Sequence, residues 1–198
     1  MSCLREEVER FKAWASTQRR NYGEWECDYE DWATLYAAGE ASLANLSMSE
    51  VEVDLVLYVL ARDNESELIK SMLEKYVDNG MRVARAAISC GDADARWQIA
   101  DFLGTQNGDE AKHLLHRFAD DEDEYVRRRA LLASVRNNPT FAETTAWEWL
   151  ASEHEYSRLA SLRILRQLGS PELAAAIERL RDDLSPVVQA ELAVIAAG

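Results

Sequence analysis

The feature that most constrains this chain is a step of 31 residues linking Arg96, Arg127 and Arg158, with Gln189 at the next step. Acids or hydroxyls lie just before each of them: Asp92-Ala93-Asp94, Asp121 through Glu124, Glu153-His154-Glu155 and Asp182-Asp183-Leu184-Ser185-Pro186. Such side chains accept the unpaired amides of a helix start and sit well against the positive end of its dipole, and a first-turn proline gives up no needed donor. These four points are therefore read as helix starts. Apolar sites keep the same step. Ala95, Val126, Ser157 and Val188 share one site, Ile99, Ala130, Ser161 and Leu192 another, and Leu103, Ser134 and Leu165 a third. The helix before each start repeats too, through Ala111, Ala142 and Leu173; Val83, Leu114, Thr145 and Ala176; Ala84, Leu115, Ala146 and Ile177; and Ala87, Phe118, Trp149 and Leu180. A weaker earlier copy places Val53, Val56 and Leu57 in a first helix and Leu68, Ile69 and Met72 in a second.

A single amphipathic helix pair of this size cannot bury its own stripe, so neighbouring copies must stack and share an elongated core. The expected fold is all-α, an alpha-solenoid of about five stacked antiparallel helix pairs, over 49–79, 80–110, 111–141, 142–172 and 173–198. Helix breaks are expected at Asn79-Gly80, Gly91, Gly104 to Gly108, Asn137-Asn138-Pro139, Gly169-Ser170-Pro171 and Ser185-Pro186. Strand-like alternation is absent from the sequence. The bland rival is an irregular helical bundle, since apolar residues recur every three or four positions in any amphipathic helix.

The unit resembles a HEAT-like repeat of the short bacterial kind, in which an acid-rich turn leads to a small or β-branched residue and then an arginine. The match here is Asp94-Ala95-Arg96, Glu124-Tyr125-Val126-Arg127 and Glu155-Tyr156-Ser157-Arg158. It covers residues 75–198 well and 49–74 loosely, and the last copy departs by carrying Gln189. The resemblance implies a structural role for the arginines, tying neighbouring repeats to preceding carboxylates. It also implies that the second helices line a concave inner face.

Residues 1–48 fall outside the period. Leu4, Val8, Phe11, Trp14 and Ala15 recur at helical spacing, as do Tyr29, Trp32, Leu35 and Tyr36 between Asp28 and Ala38. Two helices are expected, forming an N-terminal cap over the open end of the array. Trp14, Trp25 and Trp32 are half of the six tryptophans, so a share in a binding surface is the competing reading for this cluster.

On the concave face, a projection of about 100 degrees per residue turns Ala95, Ile99 and Leu103 to the core and Trp97, Gln98 and Asp101 away from it. The same general face takes in Tyr125, Arg128, Tyr156 and Arg163. These seven are the candidate binding residues.

Charge narrows the partner. There are 22 Lys+Arg against 36 Asp+Glu, a net charge of -14, which argues against a generic grip on nucleic-acid phosphates. A protein with a basic binding surface fits better. The start runs directly into charged residues and no long apolar segment follows, so no membrane partner and a cytoplasmic location are expected. Cys3, Cys27 and Cys90 are scattered and read as free thiols. His113, His116 and His154 complete no metal signature, and neither a metal nor a cofactor is expected.

The sequence contains no glycine-rich phosphate loop and no evident nucleophile-base set. The leading expectation is a non-enzymatic protein-binding solenoid, similar to acidic bacterial immunity proteins that inhibit a toxic enzyme. Two alternatives rest on resemblance at the level of the repeat. One is a HEAT-like DNA glycosylase, with Trp97 and Asp101 as its aromatic and carboxylate pair; the other is a chromophore lyase or scaffold protein.

Overall fold

A computed structural model of the chain describes residues 3–18 and 29–197, and among these residues it places twelve α-helices and no strand. Trp25 and Cys27 lie outside the described residues. The chain divides into two compact units, Met1–Phe102 and Leu103–Gly198.

The first unit contains α1 (Leu4–Ala15), α2 (Trp32–Ala44), α3 (Glu50–Leu60), α4 (Leu68–Lys75), α5 (Val77–Ala87) and the larger part of α6 (Ala93–Thr105). Helix α1 buries Leu4, Val8 and Phe11 at helical spacing and packs on α2 and α3. Helix α2 in turn packs on α4 and α5, and α3 on α5. Phe11 is the centre of an aromatic cluster. Its ring lies 5.0 Å from Tyr29 and 5.3 Å from Trp32, while Trp14 stands 4.9 Å from Tyr29 and Tyr36 stacks on Trp32 at 5.0 Å. These rings join Leu4, Val8 and Leu35 in the apolar side chains buried on α1 and α2, and aromatic pairs add specific edge and offset contacts to simple burial. Tyr29 precedes α2 rather than belonging to it, because the helix starts after Asp31.

Helix α3 starts with a reciprocal cap: the Ser49 hydroxyl accepts the Glu52 amide, and the Glu52 carboxylate accepts the Ser49 amide. The connection to α4 is held by the fully buried Asp63 carboxylate, which accepts the Tyr36 hydroxyl at 2.8 Å and the Ile69 amide at 2.6 Å. Helix α4 buries Ile69 and Leu73; Leu68, expected in the core stripe, is exposed.

The second unit contains α7 (Asp109–Ala119), α8 (Glu124–Asn137), α9 (Pro139–Trp149), α10 (Glu155–Gln167), α11 (Leu173–Leu180) and α12 (Pro186–Ala196). Consecutive helices pack from α7 through α11, and α10 also packs on α8 on one side and α12 on the other. Within this unit the arrangement is a stack of helix pairs. Its core runs from Leu131 and Val135 through Ala142, Ala146, Leu162 and Leu165 to Ala176, Leu180 and Val188. Burying each of the larger aliphatic side chains stabilises the stack by about 1.5–3 kcal/mol. Helices α6, α8, α10 and α12 begin at Ala93, Glu124, Glu155 and Pro186. Ala95, Val126, Ser157 and Val188 are all buried, as are Leu103, Ser134 and Leu165.

The arginine series has a geometric role beyond the expected carboxylate tie. Arg96 donates to the Cys90 carbonyl at 2.7 Å, Arg127 to the Asp121 and Glu122 carbonyls at 2.7 and 3.0 Å, and Arg158 to the Ser152 and Glu153 carbonyls at 2.8 and 3.1 Å. Each guanidinium closes the turn before its own helix. Gln189 does the same with its amide, donating to the Arg181 and Asp183 carbonyls at 3.0 and 2.9 Å. A fork of N–H donors suits carbonyls that no helix ladder satisfies. Arg158 also makes a carboxylate contact, but to Asp183, which follows it in the chain.

Two expected breakers are helical. Asn79 and Gly80 lie buried inside α5, where the Asn79 amide donates to the Leu43 and Asn45 carbonyls at 2.8 and 2.9 Å. A Cβ on Gly80 would stand 2.8 Å from the Leu73 carbonyl oxygen and 2.8 Å from the Phe102 ring. Gly104 lies inside α6, and a Cβ there would meet the Ala133 methyl at 2.8 Å. Both glycines permit a close helix approach rather than a turn. The other expected breaks at Gly91, Gly108, Gly169 and Pro186 separate or open helices.

Candidate functional site

Three of the candidate residues come together in the second unit. Tyr125 and Tyr156 occupy the first turns of α8 and α10 and are 40% and 45% exposed. The Arg128 guanidinium lies 5.0 Å from the centre of each ring. Helix geometry makes this possible, since Arg128 is three positions beyond Tyr125 and shares its face, while the packing of α10 on α8 brings in Tyr156. The Arg128 Nε also stands 3.4 Å from the Glu124 carboxylate. A cation between two ring faces is held by their quadrupoles as well as by the nearby carboxylate.

Beside this cluster a groove of about 530 Å³ opens, lined by Glu124, Glu153, Glu155 and Tyr156 together with Leu184 and Ser185. The Ser157 hydroxyl donates to Glu124 at 2.9 Å, and the Ser185 hydroxyl donates to Glu155. These hydroxyls orient the two carboxylates, and Glu124 is also paired with Arg128. Arg158 also lines the groove, but its charge is matched by Asp183, whose carboxyl is held below the ordinary range chiefly by the Arg158 hydrogen bonds and further by the Ser185 amide. Leu184 is 98% exposed. Sequence reasoning missed this groove. Its available signals were Glu124 and Glu155 at one register position and a lone leucine between Asp183 and Ser185.

The remaining candidates are placed differently. Trp97 and Gln98, expected to face away from the core, are 6% and 0% exposed within the first unit. Gln98 donates to the Leu60 carbonyl at 2.6 Å and so satisfies the C-terminal end of α3. The Trp97 indole N–H donates to Asp94 at 3.3 Å. The projection failed here because α6 is buried continuously from Ala95 to Ala100, so it has no single exposed side in these turns. Asp101 lies 3.7 Å from the Lys70 ammonium. The aromatic and carboxylate pair behind the glycosylase alternative is thus a buried ring and an ion-paired acid.

Arg163 on α10 donates to Glu191 of α12 at 2.8 Å, and Arg166 lies 3.9 Å from the same carboxylate. Trp32 is buried in the aromatic cluster and Trp14 is half-buried at its edge. His116 stacks on Phe141 at 3.8 Å and meets the Asn138 amide at 2.8 Å. Among the described residues no group of three or more His, Cys, Asp or Glu is arranged to hold a metal ion, and no helix is long and apolar enough to cross a membrane.

Comparison with known protein families, curated proteins and solved structures finds no match to this chain.

Proposed function

We propose that this chain is a protein-binding array of HEAT-like helix pairs with no chemistry of its own, acting in the cytoplasm as an acidic inhibitor or immunity protein for a partner with a basic surface. The observation that carries this reading is the juxtaposition of half-exposed Tyr125 and Tyr156 with an acid-lined groove on the second unit. Tyrosines held by their own helices offer contact area at little cost in conformational freedom and are favoured at interface centres. The net charge of -14 would speed encounter with a basic protein and repel polyanions. The even spacing of the starts at Ala93, Glu124, Glu155 and Pro186 supports a repeat of 31 residues as the building unit.

The test is reconstitution. Proteins captured from the native cell are purified singly and mixed with the chain, and the complex is followed by size exclusion and calorimetry as salt is raised. The reading expects a stoichiometric complex with a basic protein, weakening with salt. If no purified protein reforms a complex, or if the chain instead binds duplex DNA in a salt-sensitive way, the reading falls.

A further inference from the structure

We infer that the groove bounded by the first turns of α8 and α10 and the turn before α12 takes a partner segment that presents a lysine or arginine next to an apolar side chain. This rests on the protein-binding reading and narrows it to one site and one chemistry.

The first argument is charge. Glu124, Glu153 and Glu155 line the groove. Glu153 is exposed, and among the described residues its carboxylate has no ion pair or hydrogen bond. Glu155 accepts the Ser185 hydroxyl, which fixes its direction and leaves its charge in place, whereas Glu124 accepts the Ser157 hydroxyl and is also paired with Arg128 at 3.4 Å. The arginine that lines the groove, Arg158, is committed to Asp183 through two bonds of 2.6 and 2.9 Å. Glu153 and Glu155 therefore give the wall its negative charge, and the complementary occupant is a cation.

The second argument is shape and apolarity. Leu184 is almost fully exposed, yet its turn is anchored on both sides: Asp183 by Arg158, and Ser185 by Glu155 and by the Val188 amide its hydroxyl accepts. An apolar side chain held out on an anchored turn can cover a partner's apolar group without first being ordered. Tyr156 adds a half-exposed ring, which already faces the Arg128 guanidinium, and aromatic rings attract cationic side chains. Apolar contact and negative charge within one groove select a basic segment with an apolar residue beside the cation, and disfavour nucleic acid.

The experiment uses the full chain and three short fluorescent peptides: alternating Leu and Lys, alternating Ser and Lys, and alternating Leu and Glu. Binding is read by anisotropy and located by amide chemical shifts. The Leu/Lys peptide is expected to bind about tenfold tighter than Ser/Lys, the ratio that burial of one leucine supports, with no binding of Leu/Glu. Leu184→Asp should abolish the preference for leucine, and Glu153→Lys should weaken both basic peptides. Leu46→Asp, an equally exposed leucine on the first unit, should change nothing. All three sites are exposed, and thermal unfolding verifies that each variant folds. Equal binding of the Leu/Lys and Ser/Lys peptides, or full binding by the double variant Leu184→Asp/Glu153→Lys, overturns the inference. A native-partner complex that survives the double variant overturns this site while leaving the protein-binding reading standing; failure of every reconstitution removes that reading itself.

Discussion

Arg158 grips Asp183 with two parallel hydrogen bonds, Nε to Oδ2 at 2.6 Å and Nη2 to Oδ1 at 2.9 Å. The same guanidinium also closes the turn before its own helix. One side chain thereby fastens the start of α10 to the turn that carries Leu184. The geometry is two-pronged and the pair is largely buried, so it belongs among the stronger charge-assisted contacts.

The pH dependence of Asp183→Asn follows from this pair. The Asp183 carboxyl is held below its ordinary 3.8, with Arg158 as the main cause. A carboxyl depressed in the folded state binds a proton more readily when unfolded, so its stabilisation is complete well above the ordinary value and disappears as pH falls through the folded one. Asp183→Asn should cost about 2–3 kcal/mol near neutral pH. Urea unfolding from pH 7 down to pH 2 should show the gap between variant and parent closing below about pH 4.

Gly80→Ala should destabilise the first unit by about 1–3 kcal/mol, because the new methyl meets a backbone carbonyl that cannot swing away. Gly91→Ala, with nothing within 4 Å of its Cβ, should lie within about 0.5 kcal/mol of the parent. Chemical denaturation of the two variants side by side checks the pair, and equal stabilities would disprove the close-approach account.

Arg127→Ala should cost about 2 kcal/mol through loss of its bonds to the Asp121 and Glu122 carbonyls. Arg127→Gln should recover a good part of that, because Gln189 already performs this task with an amide. A glutamine variant as unstable as the alanine one would mean that charge rather than donor geometry matters.

Trp32→Ala should cost about 3–5 kcal/mol, as expected when a buried aromatic is removed, since its ring packs against Phe11 and Tyr36. Near-ultraviolet circular dichroism together with thermal melting would report the loss. A melting point unchanged from the parent would return Trp32 to the pool of binding residues.

Much of the architecture was legible in the chain's periodicity. The helix starts at Asp123-Glu124 and Ser185-Pro186 are written in capping residues whose effect is local, and the register positions around Val126 and Ala130 are buried as their spacing required. The candidate site was legible in part. Tyr125, Arg128 and Tyr156 meet because helix spacing and a repeated position determine it, whereas Trp97 and Gln98 are buried by neighbours that a helical projection does not contain.

By itself, the sequence determined that the described residues are helical, where α6, α8, α10 and α12 start, and which positions such as Val126 and Ala130 they bury, because capping, helical spacing and proline act over a few residues. Tertiary structure decided that Gly80 and Gly104 lie within helices, that Gln98 closes the end of α3, and that three carboxylates share a groove with Leu184. Each of these depends on which surfaces meet across many residues of chain. A polar or small residue looks alike in the sequence whether it breaks a helix or receives one.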